Sequence, residues 1–274
     1  MSARAGGVSQ GPYAECNLGD HVQDDARAVR HNRGVFEQLL GAPAVWLQQV
    51  HGDRVLRLGS PLRPGTPPVV LEAGAQGTAA LPADGAFTTE PGVACVVMVA
   101  DCLPLLLAAP EGRGVAALHA GWRGLAGAGA GMTPGQGIVH SGVRALCEAT
   151  SCDPADLAVW LGPCIGPRHF EVGADVLAGF GVDPASATPG RHPRFVPHGD
   201  LAGNLAGNLA GEPSGALPAK WLADLPGLAR DTLARLGVRQ VSGGEACTVS
   251  EPARFFSFRR DGRTGRQAAG ICLG

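Results

Sequence analysis

The chain has 274 residues, 45% hydrophobic and 17% charged, a composition that excludes disorder and suffices for one large globular domain. A formal net charge of -2 argues against a nucleic-acid role driven by bulk electrostatics, so no nucleic-acid partner is expected. No apolar run approaches the ~20 residues of a membrane span, and MSARAGGVSQ lacks the apolar centre of a secretory signal, so a cytoplasmic location without membrane contact is expected.

Residues 24–41, DDARAVRHNRGVFEQLLG, read as a helix capped by Asp24 or Asp25, with Val29, Phe36, Leu39 and Leu40 as its apolar stripe and Gly41 as its stop. VWLQQV, 45–50, reads as a strand, and ADGAFTTEPG as turn chemistry around a short strand. ACVVMVAD, 94–101, is a continuous apolar run of the kind a doubly buried strand carries. GVAALHA is a further strand, IVHSGVRALCEAT, 138–150, a helix, and DLAVWLGPCIG a strand running into a Gly/Pro turn. Residues 220–238 contain a helix that stops at Gly237. ARFFSFRRDGRTGRQAAGICL reads as a hairpin turning at DGRTG, which places Arg259 and Arg260 on opposite faces of a strand. GAGAGMTPGQG, 127–137, and the tandem repeat LAGNLAGNLAG within 201–215 read as flexible insertions. No linker divides the chain, so a single domain over 1–274 is expected, and the irregular mixture of helices and strands indicates an α+β fold.

Three positions share one pattern. His51 follows WLQQV, Cys102 follows ACVVMVAD, and His119 follows GVAAL, so each is a soft or borderline metal ligand where a predicted strand ends. If the ends meet, they form a His-Cys-His set, and zinc held by three protein ligands keeps a fourth position open for water or substrate. Copper suits the same ligands, and two turn histidines with a buried thiol would give the same spacing. The eight cysteines show no CxxC pair, so a disulfide framework is not expected. In HAGWRG, 119–124, the glycines permit a close backbone approach, Arg123 suits an anion, and Trp122 reads as packing beneath the loop.

Taken together, NLGDHVQDD, the Asn32-Arg33 pair, WLQQVHG, ADGAFTT, VADCLPLLL, HAGWRG, LGPCIGPRHFEVG, KWLADL and CTVSEPARFFSFRRDGRTGRQA resemble the YfiH-like laccase-domain family, in order from about residue 15 to the end. The resemblance implies a layered α/β/β/α sandwich with mixed sheets, similar to the cysteine-hydrolase fold. It implies zinc on His51, Cys102 and His119, with copper as the alternative. It further implies purine nucleoside phosphorylase activity on adenosine, inosine or methylthioadenosine, together with adenosine deaminase activity. Gln23 departs from the glycine usual in the early motif, and the 127–137 insertion bears on the rim of the pocket.

Phosphorolysis needs cations for phosphate, acceptors for ribose hydroxyls and help for the leaving base. Arg33 and Arg123 are the first candidates for phosphate, Arg259, Arg260 and Arg266 the second, and Asn17 and Asp84 complete the expected substrate contacts. Deamination needs an activated water and a carboxylate that moves protons, for which Asp101 and Asp84 are candidates. Asp101 equally suits a role orienting a ligand, and Asp84 a role holding a turn. Cys164 reads as structural. The expected partners are a purine nucleoside and phosphate, on a monomer or small homo-oligomer. The alternatives are a hydrolase editing peptidoglycan precursors, with Cys102 as nucleophile and His119 as base, and a copper-dependent polyphenol oxidase, for which the histidines are few.

Overall fold

The computed structural model describes residues 1–61, 66–71, 82–187, 192–198 and 220–274. Helix α1 (Ala26–Leu40) begins where the Asp25 side chain accepts the backbone N–H groups of Arg27 and Ala28, and it stops at Gly41, whose φ of 78° suits a residue without a Cβ. There follow β1 (Ala44–Trp46), β2 (Val55–Gly59), β3 (Val69–Val70), β4 (Gly85–Thr88), β5 (Ala94–Val99), β6 (Leu103–Ala108) and β7 (Val115–Ala120). The short α2 (Trp122–Ala126) and α3 (Ile138–Thr150) lead to β8 (Ala158–Leu161), β9 (Glu171–Val172), α4 (Ala174–Gly179), β10 (Phe195–His198) and β11 (Lys220–Ala223). The described chain closes with α5 (Leu225–Arg235), β12 (Gln240–Gly243), α6 (Phe258–Asp261) and β13 (Gln267–Cys272). None of the described helices is long and apolar enough to cross a membrane.

A mixed sheet in the order β12-β8-β6-β7-β4-β2-β3 lies against a second mixed sheet, β1-β5-β13, and a small antiparallel sheet pairs β10, β11 and β9. Strand β5 explains the stacking. Alternate side chains point to opposite faces: Cys95 and Val97 meet Leu56, Leu58, Ala86 and Ala117 of the large sheet, while Val96 and Met98 meet Leu18 and Phe36 on the α1 side. The far face of the large sheet, with Leu103, Leu105, Leu107 and Leu118, packs on Ile138, Val139, Val143 and Leu146 of α3 and Leu233 of α5. Helix, sheet, sheet and helix therefore stack in that order, an α+β architecture with mixed sheets. A strand buried on both faces has no polar face to display, which is why ACVVMV reads as one apolar run.

The helices at 24–41 and 138–150 form as the sequence indicates, and α5 ends two residues before Gly237. Two expectations need correction. The strand expected at 45–50 ends at Trp46; beyond it the Gln49 side chain donates to Met98 O at 2.8 Å and accepts from Met98 N at 2.7 Å. A side-chain amide thus replaces the strand ladder, and the apolar pattern continues without the strand. The expected C-terminal hairpin is absent. Ser257 caps the helical turn α6 by accepting from Arg260 N at 3.2 Å, and β13 pairs with β5 instead of folding back on the preceding segment. Arg259 and Arg260 accordingly lie on a helix. The 127–137 segment carries its own bonds, among them Gly135 N to Ala126 O at 2.9 Å and Gln136 N to Thr133 O at 2.9 Å. The 201–215 insertion lies outside the described residues.

Candidate metal centre

Three chain segments deliver His51, Cys102 and His119 to one point. Cys102 sits in the link that carries the chain from β5 in one sheet to β6 in the other. His119 stands near the end of β7, opposite Pro104 of β6. His51 lies in the loop after β1, with a φ of 61°. The ligand atoms of the three residues lie within 4.8 Å of one another, with Cys102 Sγ 3.6 Å from His51 Nε2. The two imidazoles meet edge to face with centroids 4.8 Å apart.

Asp84, fully buried in the turn before β4, holds this arrangement. Its carboxylate accepts the backbone N–H groups of Val50 at 3.1 Å, His51 at 2.9 Å and Gly52 at 2.7 Å, so it fixes the His51 loop. The same carboxylate lies 2.7 Å from His119 Nδ1. That contact makes Nδ1 the donor, so the neutral imidazole keeps its lone pair on Nε2. Burial would raise the Asp84 carboxyl, but His119 and the Gly52 and Val50 N–H groups overcome it and hold the group below the usual carboxylate range. Burial would likewise raise the Cys102 thiol, yet His119 and then His51 outweigh it and pull the thiol well below its ordinary value. Against its own burial, His119 is raised by Cys102 and Asp84.

The glycines of HAGWRG have an observable reason. A Cβ on Gly121 would lie 2.6 Å from His51 Cδ2 and 3.2 Å from Cys102 Sγ, so any side chain there would push two of the three donors apart. Three donors in reach of one another, a thiol held toward thiolate and an imidazole oriented by a carboxylate fit a transition-metal site with three protein ligands.

His51 and Cys102, with His119 buried behind them, line a cavity of about 310 Å³ whose walls include Trp122, Arg123, Ile165, Phe170, Phe258 and Arg259. Arg123 is exposed on this wall, its guanidinium stacked 4.4 Å over the Trp122 ring. Trp122 is half-buried against α4, where a Cβ on Gly179 would meet its ring at 3.0 Å. Arg259 Nη1 donates to His169 O at 3.3 Å and Glu171 O at 3.0 Å. Asp101 lines the cavity beside Cys102, but its carboxylate is occupied by the Thr248 hydroxyl at 2.6 Å and Arg259 N at 2.6 Å. It therefore ties α6 to the Cys102 turn.

Other residues flagged in the sequence lie in structural networks. Asn17 donates to Gly19 O at 3.0 Å and Asp24 Oδ2 at 2.9 Å, and accepts from Gly19 N at 2.9 Å and Arg266 N at 2.8 Å. All four valences of its amide are used. Arg33 donates to Leu18 O at 2.9 Å, lies 3.1 Å from Asp20 and stacks over Trp46 at 4.3 Å. Arg260 donates to the carbonyls of Thr248, Val249 and Phe255 and pairs with Asp261. Cys164 is fully buried, and its backbone pairs with Cys247. Sequence reasoning assigned no role to Phe170, Phe258 or Thr248. For the phenylalanines the signal was present in RHF and FFSF, four aromatic residues in a chain only 5% aromatic.

A protein-family model described as multi-copper polyphenol oxidoreductase laccase matches residues 1–274. A Pseudomonas aeruginosa protein named purine nucleoside phosphorylase is 40% identical over 100% of this chain and 92% of its own length. The Escherichia coli (strain K12) protein named purine nucleoside phosphorylase YfiH is 38% identical, covering 99% of this chain and 92% of its own. Among solved structures, a Neisseria meningitidis protein is 39% identical with a TM-score of 0.72, covering 100% of this chain and 92% of its own. YlmD from Geobacillus stearothermophilus is 31% identical with a TM-score of 0.74, covering 99% of this chain and 89% of its own.

Proposed function

The chain belongs to the multi-copper polyphenol oxidoreductase laccase family, and from that premise we propose that it is a zinc-dependent purine nucleoside phosphorylase with adenosine deaminase activity. The observation that carries the reading is the His51-Cys102-His119 trio, two of whose members, His51 and Cys102, line a cavity with both aromatic and cationic walls. Relatives bearing the name purine nucleoside phosphorylase, up to 40% identical over nearly the whole chain, support the substrate class.

His51, Cys102 and His119 would hold the metal, which when bound supplies Lewis acidity on the open side of the trio. The remaining work falls to the protein's own groups. Asp84 holds a proton on His119 Nδ1 and keeps Nε2 a ligand. Phe170 and Phe258 give the purine apolar walls that exclude water. Arg123, free of carboxylate partners among the described residues, faces the attacking phosphate with two N–H donors at once. Asp101, through Thr248 and Arg259 N, positions α6 against the cavity and is the carboxylate beside Cys102 for the proton transfers of deamination. Adenosine, inosine and methylthioadenosine share the purine and the ribose bond on which this site acts. The test is base release from each nucleoside with and without phosphate. Adenine and hypoxanthine appearing with phosphate, with inosine from adenosine alone, supports both activities; no phosphate-dependent base from any nucleoside overturns the first.

One observation favours a second reading. A thiol pulled down by an adjacent buried imidazole is also the arrangement of a cysteine hydrolase, which would suit editing of peptidoglycan precursors on Cys102 and His119. A zinc ligand is not a free nucleophile, so metal content and alkylation of Cys102 separate the two readings.

A further inference from the structure

Behind Phe258 lies a second cavity, of about 240 Å³, lined by His21, Gln23, Arg263, Thr264 and Arg266. Phe258 borders both this cavity and the metal cavity, so the two share a wall. None of the lining residues is acidic. Arg266 is half-buried, and its Nη1 donates only to the carbonyls of Thr264, at 3.2 Å, and Gly265, at 3.0 Å. Arg263 donates through Nε to the Tyr13 hydroxyl at 2.7 Å. Among the described residues neither guanidinium is in an ion pair, whereas Arg4, Arg33, Arg194, Arg254 and Arg260 all are. Arg263 is exposed, but Arg266 is partly out of water without an ion-pair partner, which is costly, and an anionic ligand lowers that cost. The Thr264 hydroxyl is the one buried side-chain polar atom among the described residues with no hydrogen-bond partner. Such an atom calls for a water, an ion or a ligand.

We infer that this cavity is a phosphate-group subsite, with Arg263 and Arg266 as its cations and Thr264 as its hydroxyl donor. Two planar forks and a hydroxyl meet the several oxygens of a tetrahedral oxyanion, where a single carboxylate would use one fork. At His21, burial and then Arg266 outweigh Asp20, which lies 3.6 Å from its Nδ1, and lower the imidazole below its ordinary value. This phosphate is a second one, distinct from the attacking phosphate assigned to Arg123 in the metal cavity, and it arrives either as a free ion or as the ester of a nucleotide whose base lies beyond Phe258. The inference deepens the phosphorylase reading, on which its chemical role rests.

The probe is inorganic phosphate, followed by phosphorus-31 line broadening and by thermal shift on the full chain carrying Arg123→Ala, which removes the phosphate contact assigned in the metal cavity, in parallel with adenosine 5′-monophosphate and adenosine. This parent, with or without Cys102→Ala, should bind phosphate alike, because the subsite is not the metal centre. Arg263→Gln and Arg266→Gln should each weaken phosphate at least about tenfold, the loss of one charge-assisted contact. Thr264→Val removes an orphaned hydroxyl, so it should keep the parent's melting temperature while losing affinity; this keeps the test sound if an arginine variant folds poorly. A tenfold advantage of the monophosphate over adenosine that vanishes in Arg263→Gln identifies the ester as the source. Equal binding of phosphate and monophosphate identifies the free ion. The inference is overturned if neither ligand binds the parent, or if both bind all three variants unchanged. Phosphate binding here with no nucleoside cleavage would leave the subsite standing and sink the phosphorylase reading. Phosphate-dependent cleavage by wild type, with phosphate and monophosphate binding all three variants unchanged, would do the reverse.

Discussion

Asn17 and Asp84 are both fully buried side chains that tie loops together, and they do opposite things with their last valence. Asn17 closes a network on itself: its amide spends every donor and acceptor on Gly19, Asp24 and Arg266, while its carbonyl takes the Asn32 amide at 2.9 Å. Asp84 collects three backbone N–H groups and then binds His119, whose second nitrogen stays open toward Cys102 and His51. The first network ends in the protein; the second ends in a cavity. Buried polar residues at recognisable motifs therefore do not mark a site by themselves. What marks it is a lone pair or a cation left unspent.

The sharpest way to break that contrast is Cys102→Ala. Losing one of three donors should abolish metal binding and lower kcat/KM at least about a thousandfold, since a Lewis acid supplies several kcal/mol. Metal analysis and steady-state kinetics on one preparation check this. Asp84→Asn should cost about 10–100-fold in metal affinity through His119, the range for a group that orients a ligand. Its pH dependence carries a sign. The folded Asp84 carboxyl is held below its unfolded value, so its stabilisation is full above about pH 4 and is lost as pH falls through the folded value. Acid denaturation of wild type should be steeper than that of Asp84→Asn, and parallel curves would remove Asp84 from its place. Arg123→Ala should raise the KM for phosphate about tenfold with metal content unchanged; unchanged phosphate kinetics would reject the assignment. Asn17→Ala should cost roughly 1–3 kcal/mol of stability in chemical denaturation and leave metal content where it is. A folded Asn17→Ala that lost its metal would erase the comparison.

Much of this was legible in the sequence because local rules governed it. Helix α3 was legible from its apolar spacing, and α1 from Asp25 and Gly41. Cys102 and His119 were legible because each stands at an apolar strand run, and His51 was picked out by the apolar WLQQV, although no strand forms there beyond Trp46. The strand at 45–50 misled because Gln49 does through its side chain what a strand does through its backbone. The C-terminal segment misled because β13 pairs with β5, more than 160 positions earlier, so the DGRTG turn had no partner strand to fold against. The arginines were not separable by type: Arg33 and Arg260 look like Arg123 in the chain, and only their partners divide structural cations from available ones.

The most direct test joins metal to chemistry in one sample. Wild type and Cys102→Ala would be analysed for bound metal, then given adenosine with and without phosphate. The account predicts roughly one zinc per wild-type chain, adenine released only with phosphate, and neither metal nor adenine in the variant. Wild type without metal or turnover, with Cys102 open to alkylation, would contradict it and turn attention to the hydrolase reading.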